Sequence, residues 1–159
     1  MGPFTCKHIL FLHALLGCDT TSRPFGIGKG AVLKKFKVNT TLQQSANVFD
    51  SVASTPSEVE SAGEKALVAI YNGKKTESLN KLRLTKYSEK VTKGEIKVEP
   101  RSLPPTSAAA KFHSYRVFLQ VYQWKSPDCD LNPESWGWIN SDTGFHPVLT
   151  DFPRLLITF

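Results

Sequence analysis

A chain of 159 residues suits one ordinary domain or two small ones, and its 40% hydrophobic content allows a real but modest core. The formal net charge of +6 favours polyanionic partners, and no apolar run approaches the ~20 residues needed to span a bilayer. The three cysteines (Cys6, Cys18, Cys129) have neither a CxxC pair nor zinc spacing, so we expect reduced thiols in an intracellular protein.

The first apolar segment, residues 7–17, predicts a buried helix because its side chains are apolar on nearly all sides. "ILFLHALLG" also resembles the core of a signal peptide, and "LLGC" resembles a lipoprotein cleavage site. His13 interrupts the run and only Lys7 precedes it as a cation, which disfavours secretion. The sequon "NTT" at residues 39–41 would matter only in a secreted chain.

A polar loop separates this first helix from a second one. Residues 19–30 form a turn-rich loop with one proline and three glycines, and residues 31–37 restart a lysine-bearing helix. A longer helix is predicted over residues 56–71. Ser57 and Glu60 have the spacing of a capping box at its start.

A short helix is predicted over residues 77–91, with Leu79, Leu82 and Tyr87 as candidate core residues. Residues 92–105 are polar, basic and proline-rich, and this composition indicates a linker or mobile loop.

The strongest helical pattern covers residues 107–124. Apolar residues recur at steps of three and four, at Ala108, Phe112, Tyr115, Leu119 and Tyr122. A polar stripe lies between them, formed by His113, Arg116, Gln120 and Gln123.

After Pro127 the pattern alternates, and Trp136, Trp138, Ile139, the turn "NSDTG" and "FHPVLTD" predict a small β-hairpin. The predicted fold class is therefore mainly α with a small C-terminal β-hairpin. We expect a helical region over residues 1–91 that includes the glycine loop, a linker over 92–105, and a long helix with the hairpin over 106–159.

The glycine loop "FGIGKG" could serve three purposes. A Walker-type phosphate loop is excluded, because Arg23 stands where its first glycine should lie relative to Gly28-Lys29. A dinucleotide fingerprint is poorly matched, because Ala31 replaces the third glycine after Gly26-x-Gly28 and a helix precedes the loop.

The third possibility is a tight hairpin between two helices, whose backbone N–H groups bind a phosphate at the start of the second helix. Lys29, Lys34 and Lys35 could then meet neighbouring phosphates without reading base sequence. A plain glycine-rich turn with solvated lysines explains the same residues, and chemistry alone leaves both interpretations open.

The ordered combination "LLGCDTTSRPFGIGKGAVLKKF" resembles the flap-endonuclease (PIN-like) nuclease family over residues 9–37. In that family a Gly-Cys-Asp motif precedes a helix–two-turn–helix that holds duplex DNA by its backbone, often around K⁺. The resemblance implies that Asp19 is one of several carboxylate ligands for two divalent metals such as Mg²⁺. It also implies a DNA-binding hairpin, made of Gly26, Gly28, Lys29, Gly30, Lys34 and Lys35.

A second stretch resembles uncharacterised, transposon-derived animal proteins, through "LPPTSAAAKFHSYRVFLQVYQW" and "PESWGW…GFHPVLTDFP". In those proteins this region follows a nuclease-like domain and leads to a cysteine-rich segment. We therefore expect a nuclear fragment of a longer protein, with DNA as its partner, no membrane partner and no known protein partner.

The resemblance does not by itself imply catalysis, because two-metal hydrolysis needs several carboxylates at one place and most of the family's carboxylates lie upstream of the Gly-Cys-Asp motif. The downstream acids Asp50, Glu58, Glu60 and Glu64 are better explained as solvated residues near a helix start. We expect no nuclease activity from this chain alone. An active nuclease completed by upstream sequence and a non-catalytic interaction domain remain the alternatives.

Other catalytic patterns are weaker. A thiol-protease pair of Cys18 with His8 or His13 lacks support, because the histidines lie on the same apolar helix and an adjacent aspartate does not favour a thiolate. The aromatic residues of the C-terminal third could stack on single-stranded bases, but their spacing is more typical of core packing.

Overall fold

The computed structural model describes residues 3–150, so the end of the predicted 106–159 region, including Asp151 of the hairpin pattern, lies outside the described residues. Seven α-helices occur in this part of the chain: α1 Pro3–Lys7, α2 Ile9–Leu15, α3 Lys29–Phe36, α4 Thr40–Asp50, α5 Pro56–Ile70, α6 Leu79–Thr92 and α7 Ser107–Lys125. One antiparallel hairpin follows, β1 Trp138–Ser141 and β2 Gly144–Pro147. The predicted mainly helical fold class with a small C-terminal hairpin is thus confirmed.

The N-terminal helices differ in detail from the prediction. The single helix expected over residues 7–17 is interrupted at His8, which separates α1 from α2. Helix α3 begins at Lys29, two residues before the predicted start. Helix α4 was not predicted, although Asn39 caps it and Leu42, Ala46 and Phe49 form its buried face.

The predicted capping box of α5 is wrong by two residues. The cap is Thr55, whose hydroxyl accepts a hydrogen bond from the Glu58 backbone N–H, while the Glu58 carboxylate accepts one from the Thr55 N–H at 2.7 Å. Pro56 takes the first helical position, where its missing N–H costs nothing, and this places the cap before it.

Helix α6 starts after the cap residue Ser78, and Leu79 and Leu82 are buried as predicted. The prediction for Tyr87 is wrong, since its side chain is 47% exposed on the outer face. The following segment, predicted as a linker, packs back on the protein. Leu103 is buried, and the Pro104 carbonyl accepts a hydrogen bond from Arg83.

Helix α7 is the central element and packs against α2, α4 and α5 around one hydrophobic core. Neighbours cover it on most sides, so its buried residues do not form one stripe. The predicted polar stripe is wrong at His113 and Arg116, which are 8% and 4% exposed. Of the four, Gln123 is exposed and Gln120 is half-buried.

The hairpin pairs Trp138 with Pro147 and Ser141 with Gly144, so Asp142 and Thr143 form its turn. It is tied to α7 through Trp136, which is buried and stacks on Phe118 with ring centres 4.4 Å apart. No helix in residues 3–150 combines the length and apolar character required to cross a bilayer.

Candidate functional site: the glycine loop between α2 and α3

The loop between α2 and α3 begins with a turn that only glycine can make. Gly17 has a φ of +101°, and a Cβ built there would lie 2.8 Å from Cα of Arg23. Such a contact is closer than real Cβ atoms show, so the chain folds back on itself at this point because position 17 has no side chain.

Thr21 holds the folded loop together. Its hydroxyl donates to the Ala14 carbonyl at 2.6 Å, and it accepts a hydrogen bond from the Cys18 backbone N–H at 3.1 Å. The Thr20 hydroxyl donates to Gln120 Oε1 at 2.5 Å, which fastens the loop to α7. The sequence predicted a turn-rich loop here, but it could not indicate the contact with Gln120, which is 100 residues away.

Cys18 is half-buried inside this turn, with its sulfur 3.2 Å from the Thr21 hydroxyl and 3.4 Å from the Thr20 hydroxyl. Burial acts to raise the pKa of the Cys18 thiol, but hydrogen bonds from the side chains and backbone of Thr20 and Thr21 outweigh it, so the pKa is lowered. All three cysteines are free thiols, and none has a disulfide partner in the described part of the chain.

Asp19 is exposed beside an open polar cavity of about 640 Å³. It is the single carboxylate that lines this cavity, and Arg23 and Lys29 line it as well. Within residues 3–150 no group of three or more His, Cys, Asp or Glu side chains could hold a metal ion. A single carboxylate beside two cationic side chains is therefore an unfavourable place for Mg²⁺ to bind.

The three glycines leave the outer face of the loop open. Gly26 has a φ of +71°, and Gly28 is the N-cap residue of α3 in an extended conformation with no side-chain cap. A Cβ at Gly26, Gly28 or Gly30 would meet nothing within 4 Å. The backbone N–H groups of Lys29 and Gly30 have no acceptor among the described residues.

The three lysines predicted at phosphates differ sharply. The Lys29 ammonium donates to the Gly17 carbonyl at 3.0 Å and to His13 Nδ1 at 3.1 Å. Lys29 is exposed, and these two hydrogen bonds stabilise the loop next to the His13 ring, which stacks on Trp124.

Lys35 contacts the C-terminal end of α5 instead of the glycine loop. Its ammonium donates to the Ala69 carbonyl at 2.8 Å and to the side chain of Asn72, so it caps the C-terminal end of α5. Burial lowers the pKa of Lys35. Lys34, in contrast, is exposed and has no hydrogen-bond or ion-pair partner in residues 3–150, which makes it the one of the three with a free ammonium.

The other predicted residues are structural. His8 is buried with its Nδ1 2.6 Å from Asp50, which also pairs with Lys125. Asp50 ends α4, so the expectation of a solvated helix start is wrong for it. Glu64 accepts hydrogen bonds from the Leu79 N–H and the Ser107 hydroxyl, which joins three helices.

No protein-family model, no curated protein and no protein of known structure matches this chain. The site is therefore interpreted from its own geometry.

Proposed function

We propose that the glycine loop and the start of α3 bind the sugar–phosphate backbone of DNA without reading its sequence. The observation that carries this proposal is the open N-terminus of α3, where free backbone N–H groups and three glycines without close neighbours lie together, while the exposed Lys34 lies in the last turn of the same helix. Helix N-termini attract phosphate because their N–H groups and the helix dipole both favour negative charge.

The charge at this helix end supports the proposal. The first turn of α3 contains no acidic residue, and Lys29 begins it. A cation there opposes the helix dipole by about 0.3–1 kcal/mol, and no side chain caps the turn. A bound anion would remove this unfavourable interaction with the helix dipole. Residues that lower local stability are expected at functional sites.

The proposal includes a relationship to the flap nucleases and to transposon-derived proteins, a nuclear location, and binding without cleavage. Asp19 corresponds to a metal ligand of the family, yet the cationic residues around it do not fit a two-metal centre, so we derive no catalytic step through Mg²⁺. The N–H groups at the start of α3 are donors and offer no ligand to K⁺, so we assign K⁺ no role.

Fluorescence anisotropy with a labelled 20-base-pair duplex at several salt concentrations tests the proposal. Lys34→Glu should weaken binding of every duplex alike and reduce the slope of log affinity against log salt by about one. Lys81→Glu is the matched control, because it makes the same change of charge at an exposed lysine of α6. Equal effects of the two variants would reject the loop as the contact.

Gly30→Asp separates the helix end from general charge. The new side chain meets no neighbour and places a carboxylate on the free N–H groups, so it should stabilise the protein while blocking phosphate. Tight DNA binding by this variant would contradict the proposal. Absence of DNA binding by the native chain would favour an interaction domain, and magnesium-dependent cleavage would favour an active nuclease.

A further inference from the structure

A second cavity, of about 340 Å³, is lined in part by the same loop, through residues 22–25. The loop, the C-terminal end of α5, helix α6, the segment 100–105 and helix α7 all contribute to its wall. The chain has five arginines, and the four within residues 3–150 all line this one cavity: Arg23, Arg83, Arg101 and Arg116. No lysine and no acidic residue lines it, although the chain has 15 lysines.

Arg116 is the most deeply placed of the four, at 4% exposure. Its Nη1 donates to the carbonyls of Gly137 and Val148 at 3.2 and 2.6 Å. Its Nε and Nη2 donate to no described residue, and no carboxylate in the described part of the chain pairs with it. Buried charges are normally paired, so an unneutralised guanidinium at the base of a cavity indicates room for an anion.

The positive charges of the other three arginines are largely not neutralised by carboxylates. Arg83 donates to the carbonyls of Pro104 and Pro100, and Arg23 has no hydrogen-bond or ion-pair partner in residues 3–150. Arg101 pairs with Glu99 at 2.5 Å, but both side chains are exposed at the rim, where such a pair is weak. Four cations therefore face one cavity with a single carboxylate at its edge.

The same cavity has an apolar side. Phe25, Leu67, Tyr71 and Leu103 line it, and the Phe25 ring is 49% exposed although it is a large aromatic residue. The Arg101 guanidinium lies 5.3 Å from the centre of the Phe25 ring. This arrangement offers a flat aromatic surface beside a cationic one, and the volume is within the range of about 300–1,000 Å³ for small-molecule sites.

We propose that this cavity binds a nucleotide, with its phosphate on the guanidinium groups and its base against Phe25. Arginine rather than lysine is the residue suited to this role, because its planar donors bind phosphate oxygens in pairs and it stacks on flat rings. A free mononucleotide and the phosphorylated end of a DNA strand present the same chemistry. The site uses different residues from the α3 N-terminus and stands or falls independently of DNA-backbone binding there.

Isothermal titration calorimetry tests the site with adenosine monophosphate, adenosine and inorganic phosphate, and with short oligonucleotides that carry a 5′-phosphate or a 5′-hydroxyl. The monophosphate should bind at least tenfold more tightly than adenosine or phosphate alone. Arg23→Gln should weaken it about tenfold or more, since a charge-assisted hydrogen bond is lost. Phe25→Leu should also weaken it, because the flat contact is removed.

Lys65→Gln is the charge-matched control and should leave the affinity unchanged. Arg23 and Phe25 are both exposed, so their variants should fold, and circular dichroism checks this. Preference for the 5′-phosphorylated strand over the free mononucleotide would support the site and identify a strand end as the ligand. Equal binding of the monophosphate and inorganic phosphate, no loss in Arg23→Gln, or binding of neither nucleotide form would overturn it.

Discussion

Replacing Gly63 by alanine should destabilise this protein, although alanine is the better helix former. Gly63 lies in α5 where that helix packs on α7, and a Cβ there would be 1.8 Å from Ser114 Oγ and 2.5 Å from Ser114 Cβ. Real Cβ contacts are essentially never below 3.0 Å, and turning Ser114 would move its Oγ but not its Cβ, so the two helices must separate. Ser114 is fully buried and its hydroxyl donates to the Ala110 carbonyl at 2.7 Å, which opposes turning.

The magnitude follows from two opposing terms. Overpacking a core costs about 1–3 kcal/mol, and the gain from Gly to Ala in a helix is about 1 kcal/mol. The overlap at Ser114 is severe, which places the cost near the upper end and leaves a net loss of about 2 kcal/mol in the free energy of unfolding. At 2–4 °C per kcal/mol for a chain of this size, Tm should fall by about 4–8 °C.

Urea unfolding monitored by circular dichroism measures the effect. Gly30→Ala is the control, because a Cβ at that helical glycine meets nothing within 4 Å, and it should be neutral or slightly stabilising. The double variant Gly63→Ala/Ser114→Gly should be more stable than the sum of the two single effects on the free energy of unfolding predicts, because Ser114→Gly removes the overlapping side chain. A Gly63→Ala protein as stable as the wild type would refute close packing of α5 on α7.

Two further predictions concern buried nitrogen groups. Burial lowers the pKa of His113 from 6.5 to about 4, so the folded state favours the neutral imidazole. Because the unfolded chain binds this proton more readily, the free energy of unfolding should have its full value above pH 6.5 and fall by roughly 3 kcal/mol as the pH drops to 4. Unfolding in urea at pH 7, 5 and 4 measures this loss; His113→Gln should show a shallower decline, and an unchanged slope would exclude His113 as a cause. Lys35→Met should lower the free energy of unfolding by about 1 kcal/mol, because the cap of α5 is lost, and should leave DNA affinity unchanged. A large loss of DNA affinity would show that Lys35 contacts phosphate.

The helical periodicity of residues 107–124 predicted α7 but not its orientation. A periodic pattern identifies a buried side only when one side of the helix is solvated, and α7 is covered by α2, α4 and α5. His113 and Arg116 could therefore be recognised as polar but not as buried. The missed helix α4 did have a local signal, in the cap Asn39 and the three- and four-residue spacing of its buried residues.

The candidate sites show the same limit. The glycine-rich turn and a helix after it could be predicted, because turn residues and helix patterns are local, although α3 begins two residues earlier than predicted. The different roles of Lys29, Lys34 and Lys35 could not, since Lys29 meets a carbonyl 12 residues away and Lys35 one 34 residues away. The arginine cavity was not predicted either, because its walls come from six separate segments.

The hydrogen bonds between α2 and α7 also have a consequence for synthesis of the chain. His113 contacts the Leu15 carbonyl, 98 residues earlier, and Thr20 contacts Gln120, 100 residues later. At about 5–20 residues per second, the apolar side of α2 leaves the ribosome roughly 5–20 s before α7 can cover it. The glycine loop therefore reaches its final shape only after α7 has been synthesised, and until then the apolar side of α2 is open to chaperones.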